Sequence, residues 1–254
     1  MNTRKDQLIA FERLLDIMDE LREKCPWDRK QTMETLRTLS IEEIYELSDA
    51  IIEKDTDEIK KELGDVFLHL VFYSKIASEQ QQVDVADVLN GICDKLIHRH
   101  PHIYGDVEAD TEEKVLQNWE QIKLKEGNNS VLSGVPSSLP AMVKAYRIQD
   151  KVKGIGFEFE NSDQVFDKIQ EEINEFNIEQ NPIDKEMEFG DILFSMINYG
   201  RFIGINSEDA LERSNKKFID RFQKLENIAK EKGLNLAELS IIELDNLWNL
   251  AKIR

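Results

Sequence analysis

At 254 residues the chain is long enough for one or two domains, each able to bury a core. Its 51 acidic residues against 33 Lys and Arg leave a formal net charge of −18, which excludes a broad basic face for a nucleic-acid backbone. Cys25 and Cys93 form no C-x-x-C pattern, the N-terminal stretch MNTRKDQLIAFERLL has no secretory character, and no apolar run nears the roughly 20 residues of a membrane span. A soluble, cytoplasmic protein with reduced thiols is expected.

Residues 5–24 carry apolar side chains at helical spacing, Leu8, Phe11, Leu14, Leu15, Met18 and Leu21 on one side, and predict an amphipathic helix. Pro26 in CPWDRKQT ends or redirects it, and either Asp28 or Thr32 can cap the next helix. Trp27 reads equally as a packing anchor or a base-stacking surface.

Two helices follow, over about 38–53 and 57–78. The first carries Glu42, Glu43 and Glu46 in an E-E-x-x-E run, the second Glu62 and Asp65 in E-x-G-D. Positions three or four apart share a helix face, so Glu43 pairs with Glu46 and Glu62 with Asp65. Apolar residues surround them: Ile44, Leu47 and Ile51, then Leu63, Val66, Phe67, Leu70 and Val71. Packed antiparallel, the two helices bring four carboxylates to one site beside a core. Converging carboxylates repel unless a cation sits among them, and hard oxygen ligands favour Mg²⁺ or Mn²⁺. A lone Glu-rich face is usually just solvated, but this constellation occurs twice in the chain. His69, one turn beyond Asp65, reads either as a histidine that supports one of the acids or as a locally satisfied helix histidine.

A helix at 83–98 leads to HRHPHIYG, whose three histidines straddle Pro101. Their spacing is not that of a helical zinc motif, and the segment reads as a turn. Residues 110–126 predict a further helix, and the Gly-, Asn-, Ser- and Pro-rich stretch 127–140 reads as a linker between an N-terminal domain, 1–126, and a C-terminal one, 141–254. Beyond it, Lys144, Arg147 and Lys151 share one helical face, either a small basic stripe or a solvated face paired with Glu.

The second acid pair spans about 162–178 and 184–202, with Glu171, Glu172 and Glu175, then Glu188 and Asp191. Asn198 lies seven residues after Asp191, where the first copy has Phe72, and its amide can meet a substrate oxygen where a phenyl ring cannot. Lys168 precedes the acid run by one turn and Lys185 precedes Glu188. Lys217 and Arg221, i and i+4 in KFIDRF, form a pair suited to clamping phosphates. Trp248, in the tail, reads first as a core anchor.

The paired E-E-x-x-E…E-x-x-D runs, with C-P-W-D-x-x-Q-T, R-H-P-H-x-Y-G, L-P-A-M-x-x-A-x-x-x-Q-x-K and K-F-x-x-R-F, are similar to those of the MazG-type nucleoside triphosphate pyrophosphohydrolases. The resemblance covers nearly the whole chain in a duplicated form. It implies an all-α fold of two tandem helical domains, each completing a four-helix bundle by homodimerisation. It also implies hydrolysis of nucleoside triphosphates to nucleoside monophosphate and pyrophosphate, with the C-terminal tail folded over the nucleotide and Trp248 near it.

Chemically, Mg²⁺ held by Glu172, Glu175, Glu188 and Asp191 suits phosphoanhydride hydrolysis, with Glu171 orienting a ligand or accepting the water's proton. Lys168, Lys185, Lys217 and Arg221 would take the phosphate tail. Glu43, Glu46, Glu62 and Asp65 are the matching metal ligands of the first copy. No His-Asp dipeptide, no E-x-x-H and no P-loop or Rossmann fingerprint occurs, which removes three rival enzyme classes. The remaining alternative is a non-catalytic helical dimer that binds nucleotide or a protein partner through relic acid sites.

Overall fold

The computed structural model describes residues 2–111, 114, 115, 118, 119, 122 and 130–252. Apart from isolated positions, the helix expected at 110–126 and the linker's first residues, 127–129, lie outside them. Every regular element among the described residues is helical, as expected. The chain divides into two compact units, Met1–Asp110 and Thr111–Arg254.

In the first unit, α1 spans Arg4–Lys24 and starts in a capping box between Thr3 and Asp6. It ends at Cys25, ahead of Pro26. After a single 3₁₀ turn, Thr32 caps α2, Met33–Glu53, by accepting from the Thr35 N–H. Asp28 has another role: it is buried, and its carbonyl accepts from the Arg22 guanidinium. Lys54 ends α2 in the left-handed conformation, φ 58°, and Asp55 caps α3, Thr56–Glu79, so the acid helices form a tight antiparallel hairpin. Helix α4, Val85–Arg99, and the one-turn α5, Pro101–Tyr104, complete the unit; the expected turn at HRHPHIYG is this short helix with Pro101 at its first position.

The core of this unit is Met18 from α1, Leu36 from α2, and Val71, Phe72 and Ile76 from α3. Phe72 is 2% exposed, with the Arg22 guanidinium over its ring at 5.4 Å. Arg22 also forms a paired ion bridge to Glu79, 2.5 and 2.9 Å, which ties α1 to the end of α3.

In the second unit, α6 spans Ala141–Lys153, α7 Ser162–Ile178, α8 Pro182–Phe202, α9 Ser207–Glu231 and α10 Ile241–Ala251. Asn161, Asn181 and Asn206 cap α7, α8 and α9, and Pro182 opens α8 at the position where its missing N–H costs nothing. Helices α7 and α8 repeat the acid hairpin, with α6 laid against α8. The turn from α8 to α9 needs Gly200: a Cβ there would lie 2.8 Å from Ser207 Oγ. Helices α9 and α10 pair through Leu225, Ile228, Ala229, Leu247 and Ala251.

Lys151 does not join a basic stripe. It is 5% exposed, and its ammonium donates to the carbonyls of Val131 and Ser133, pinning the segment before α6. Lys144 likewise bonds the Ser137 carbonyl at 2.6 Å, while Arg147 pairs with Asp150.

Candidate active site

Each hairpin brings three acids together. In the second unit, carboxylate oxygens of Glu172, Glu188 and Asp191 lie within 4.8 Å of one another; in the first, those of Glu43, Glu62 and Asp65 do the same. Glu172 and Glu62 are the buried members, at 6% and 1% exposure. Glu175 and Glu46 stand outside these triads, yet their charge reaches them. Burial first, then the charges of Glu175, Asp191 and Glu172, holds the Glu188 carboxyl above its ordinary range. Burial and the charges of Asp65, Glu46 and Glu62 do the same to Glu43.

A lysine sits on each triad. Lys168 Nζ lies 3.0 Å from Glu171 and 2.8 Å from Glu172. Lys61 Nζ lies 2.6 Å from Glu58 and 2.8 Å from Glu62. Both ammonium groups are held well above the usual lysine range by their carboxylate hydrogen bonds, and Glu62 is pushed down by its bond from Lys61. The second Glu62 oxygen, Oε2, is buried with no hydrogen-bond partner. Hard oxygen donors, one of them orphaned, fit a small divalent cation.

The two units differ beside the triads. In the second, a cavity of about 520 Å³ lies among α6, α7 and α8, with Lys168, Glu172 and Asp191 in its wall. Ile148, Val152, Phe157, Phe159, Val165 and Phe194 make the rest of it largely apolar. Gly156, at φ 84°, turns the chain so that Phe157 and Glu158 reach this wall. Such a volume, apolar with a few convergent polar groups, suits a small organic ligand.

Asn198 lines the cavity and is held by Arg201, whose Nη2 donates to Asn198 Oδ1 at 3.0 Å and to Glu158 at 2.6 Å. The Arg201 side chain is 6% exposed, and its Nε is buried without a partner. Gln149 is 4% exposed; its amide nitrogen donates to the Phe194 carbonyl, and its Oε1 is likewise buried and unpartnered. Sequence reading missed Arg201 and Glu158, and Gln149 entered only as the Gln of the L-P-A-M-x-x-A-x-x-x-Q-x-K segment, without a role. For Arg201 the available signal was a positive charge in an otherwise apolar helical run, ten residues after Asp191.

In the first unit Phe72, at the Asn198 position, fills its core, and Lys75, at the Arg201 position, pairs outward with Asp19 at 2.7 Å. His69 is half-buried with an unpartnered Nδ1, and burial lowers its pKa.

Of the residues expected at the nucleotide, Lys168 and Asn198 line the second unit's cavity and Lys185, Lys217, Arg221 and Trp248 do not. Lys185 lies over the Phe176 ring at 4.7 Å and donates to the Glu179 carbonyl, bracing the α7–α8 connection. Lys217 and Arg221, on α9, are not in the cavity wall. Trp248 is a packing residue here, partly buried against the α9–α10 core with its ring 5.0 Å from that of Phe218.

A helical hairpin that converges hard carboxylates beside a cavity defines a class suited to metal-assisted hydrolysis of phosphate esters and anhydrides. Comparison with known proteins identifies the family. Residues 31–104 match the MazG nucleotide pyrophosphohydrolase domain. The chain is 42% identical over 253 residues to the nucleoside triphosphate pyrophosphohydrolase/pyrophosphatase MazG of Thermotoga maritima, covering 98% of both chains. It is 38% identical over 254 residues to the nucleoside triphosphate pyrophosphohydrolase of Escherichia coli K12, covering 95% of this chain and 97% of that one. A solved structure of a mazG-related protein from Thermotoga maritima aligns with 44% of this chain and 98% of that chain, at 27% identity and a TM-score of 0.41. The chain belongs to the MazG nucleotide pyrophosphohydrolase family, and is thus an enzyme of the hydrolase class.

Proposed function

We propose that this chain hydrolyses nucleoside triphosphates to nucleoside monophosphate and pyrophosphate in the second unit, with Mg²⁺ or, in its place, Mn²⁺, as a cytoplasmic house-cleaning activity on the nucleotide pool. The observation that carries the reading is the cavity whose wall contains Lys168, Glu172 and Asp191. A nucleoside would lie along the apolar wall, with its phosphates directed at the acid end. Glu172, Glu188 and Asp191 would hold Mg²⁺, with Glu175 alongside. The cation, when bound, neutralises the polyphosphate and acidifies an attacking water.

The chain's own residues do the rest. Glu171, 57% exposed and next to Glu172 on α7, would accept the water's proton. Lys168 meets phosphate oxygens from the cavity wall. Arg201 fixes the Asn198 amide, leaving its N–H groups directed to substrate oxygens. In this reading Lys168 supplies the phosphate-binding charge, since it lines the cavity wall and Lys185, Lys217 and Arg221 do not.

For the first unit the non-catalytic alternative is favoured. Its triad, Glu43, Glu62 and Asp65 with Glu46, would still hold a cation, but Phe72 occupies the place where the second unit has Asn198. Assembly follows from the hairpin surfaces. Ile44, Leu63, Phe67 and Leu70 in the first unit, and Met187, Phe189, Leu193 and Met196 in the second, are large apolar residues 43–59% exposed. Gly64 and Gly190 leave open space within these faces, room for another helix to approach. We propose that each hairpin pairs with its copy in a homodimer, closing a four-helix bundle.

The test is a panel of ribo- and deoxynucleoside triphosphates with Mg²⁺, the products being identified. Pyrophosphate and monophosphate are expected; orthophosphate and diphosphate would refute the proposed bond. Glu172→Ala or Asp191→Ala should abolish turnover and Glu43→Ala should leave most of it. The reverse pattern would move the active site to the first unit.

A further inference from the structure

The two triads are compensated by lysines that come from different helices. Lys168 stands on α7, four residues before Glu172; the matching position in the first hairpin is Leu39. Lys61 stands on α3, next to Glu62; the matching position in the second is Met187. Within each triad the lysine bonds the most buried acid, whose side chain is 8% exposed for Glu172 and 1% for Glu62. A buried carboxylate among like charges is the one that most needs a counter-charge. The shared requirement is therefore an ammonium on the triad.

An ammonium bonded to Glu172 Oε1 competes with a divalent cation for the charge of the same carboxylate. The two cations repel, so they cannot both sit on that carboxylate at full strength. Lys168 also lines the cavity, and its flexible four-carbon stem lets the charge swing from the acids to a ligand without moving the backbone. Lys61 has no place in that cavity wall.

We propose that Lys168 is an exchangeable counter-ion with two stations, bonded to Glu171 and Glu172 in the metal-free enzyme and released by the divalent cation to bond phosphate. This rests on the metal-assisted reading above and extends it: metal loading exposes the phosphate-binding charge. Substrate phosphate, by holding the lysine away, in turn tightens the metal. The two ligands are thus coupled through one side chain as well as through their direct contact.

The test is Mn²⁺ alone, without nucleotide, titrated into the full chain and followed by the paramagnetic resonance of free Mn²⁺, in a Glu43→Gln background that weakens the first triad. Lys168→Met should bind Mn²⁺ roughly threefold to tenfold more tightly, the scale of one partly buried ion pair. Lys168→Arg should bind about as the parent does. The KM for nucleoside triphosphate should rise in Lys168→Met despite the tighter metal, a split that structural damage would not produce because damage weakens both. Lys168→Gln replaces the Met variant if the latter does not fold. Equal or weaker Mn²⁺ binding in a folded, charge-neutral variant, with the parent binding Mn²⁺, overturns the exchange and leaves the proposed hydrolysis standing. No Mn²⁺ binding by the parent overturns both.

Discussion

Arg201→Met tests whether the cavity's polar wall is held from behind by a buried ion pair. The guanidinium gives up a 2.6 Å bond to Glu158 and a 3.0 Å bond to Asn198, from a side chain only 6% exposed. Removing one partner of a buried ion pair costs about 3–5 kcal/mol, because the other charge is left unpaired. Two features reduce that here. Glu158 is 23% exposed and keeps Lys153 at 3.7 Å, and methionine retains most of the apolar stem. A loss of about 2–3 kcal/mol follows, which for a unit of this size lowers the melting temperature by roughly 8 °C. Thermal unfolding by circular dichroism, without metal, would measure it for Arg201→Met, Glu158→Gln and the double variant. The double variant should fall short of the sum of the singles by about 1–2 kcal/mol. Turnover should drop as well, since Asn198 loses the donor that orients its amide. A change under about 0.5 kcal/mol, or additive single effects, would show that the pair is solvated and that Asn198 is held some other way.

Further tests address the metal, the assembly and the first unit's clamp. Mg²⁺ at a hundredfold excess over its Kd should stabilise the wild type by about 2.7 kcal/mol. In Glu188→Gln the metal-free protein should melt higher and the Mg²⁺ increment should shrink; an increment matched by Na⁺ at equal ionic strength would dismiss the metal site. Light scattering at micromolar concentration should give the mass of a dimer, and a monomer would refute the bundle-closing role of the exposed hairpin faces. Glu79 is held below the ordinary carboxylate range chiefly by its hydrogen bond from Arg22. Its contribution is therefore present above the unfolded carboxylate pKa and lost as pH falls through the lower folded value. Glu79→Gln should lose up to about 1 kcal/mol at pH 7, and its difference from wild type should vanish under strongly acidic conditions; a difference constant with pH would place the effect in packing.

The features legible in the sequence are those fixed by helix periodicity. Glu43, Glu62 and Asp65, with their counterparts Glu172, Glu188 and Asp191, converge because three- and four-residue spacings share a face and a two- or three-residue connection forces the helices antiparallel. Asn198 also lines the cavity that this register sets. Features that depend on long-range partners were not legible. Arg201 has no evident role until Glu158, 43 residues upstream, is seen beside it. Lys151 reads as part of a stripe, yet its ammonium is drawn inward by carbonyls 18 and 20 residues away. Lys185 lies one turn before Glu188, but at the helix start its stem bends back to Phe176 and the Glu179 carbonyl. Spacing supplied the azimuth of each residue; the reach and direction of long side chains came from tertiary neighbours.

The duplicated hairpins separate two demands that a single copy would leave fused. Both keep three converging carboxylates and one ammonium, although the lysine has changed helix, from α3 in the first to α7 in the second. Each triad thus has an ammonium on its most buried acid, delivered from a different helix of the hairpin. The cavity obeys a different rule. Where Phe72 stands, an aromatic ring completes a core with Met18, Leu36, Val71 and Ile76, and burying it stabilises the fold by about 2–3 kcal/mol. Where Asn198 stands, that gain is forgone and a polar wall needs Arg201 and Glu158 to support it. An arrangement that costs stability persists where something other than stability selects it. Beside its triad the second hairpin carries a polar-walled cavity; at the matching position the first carries an aromatic core residue.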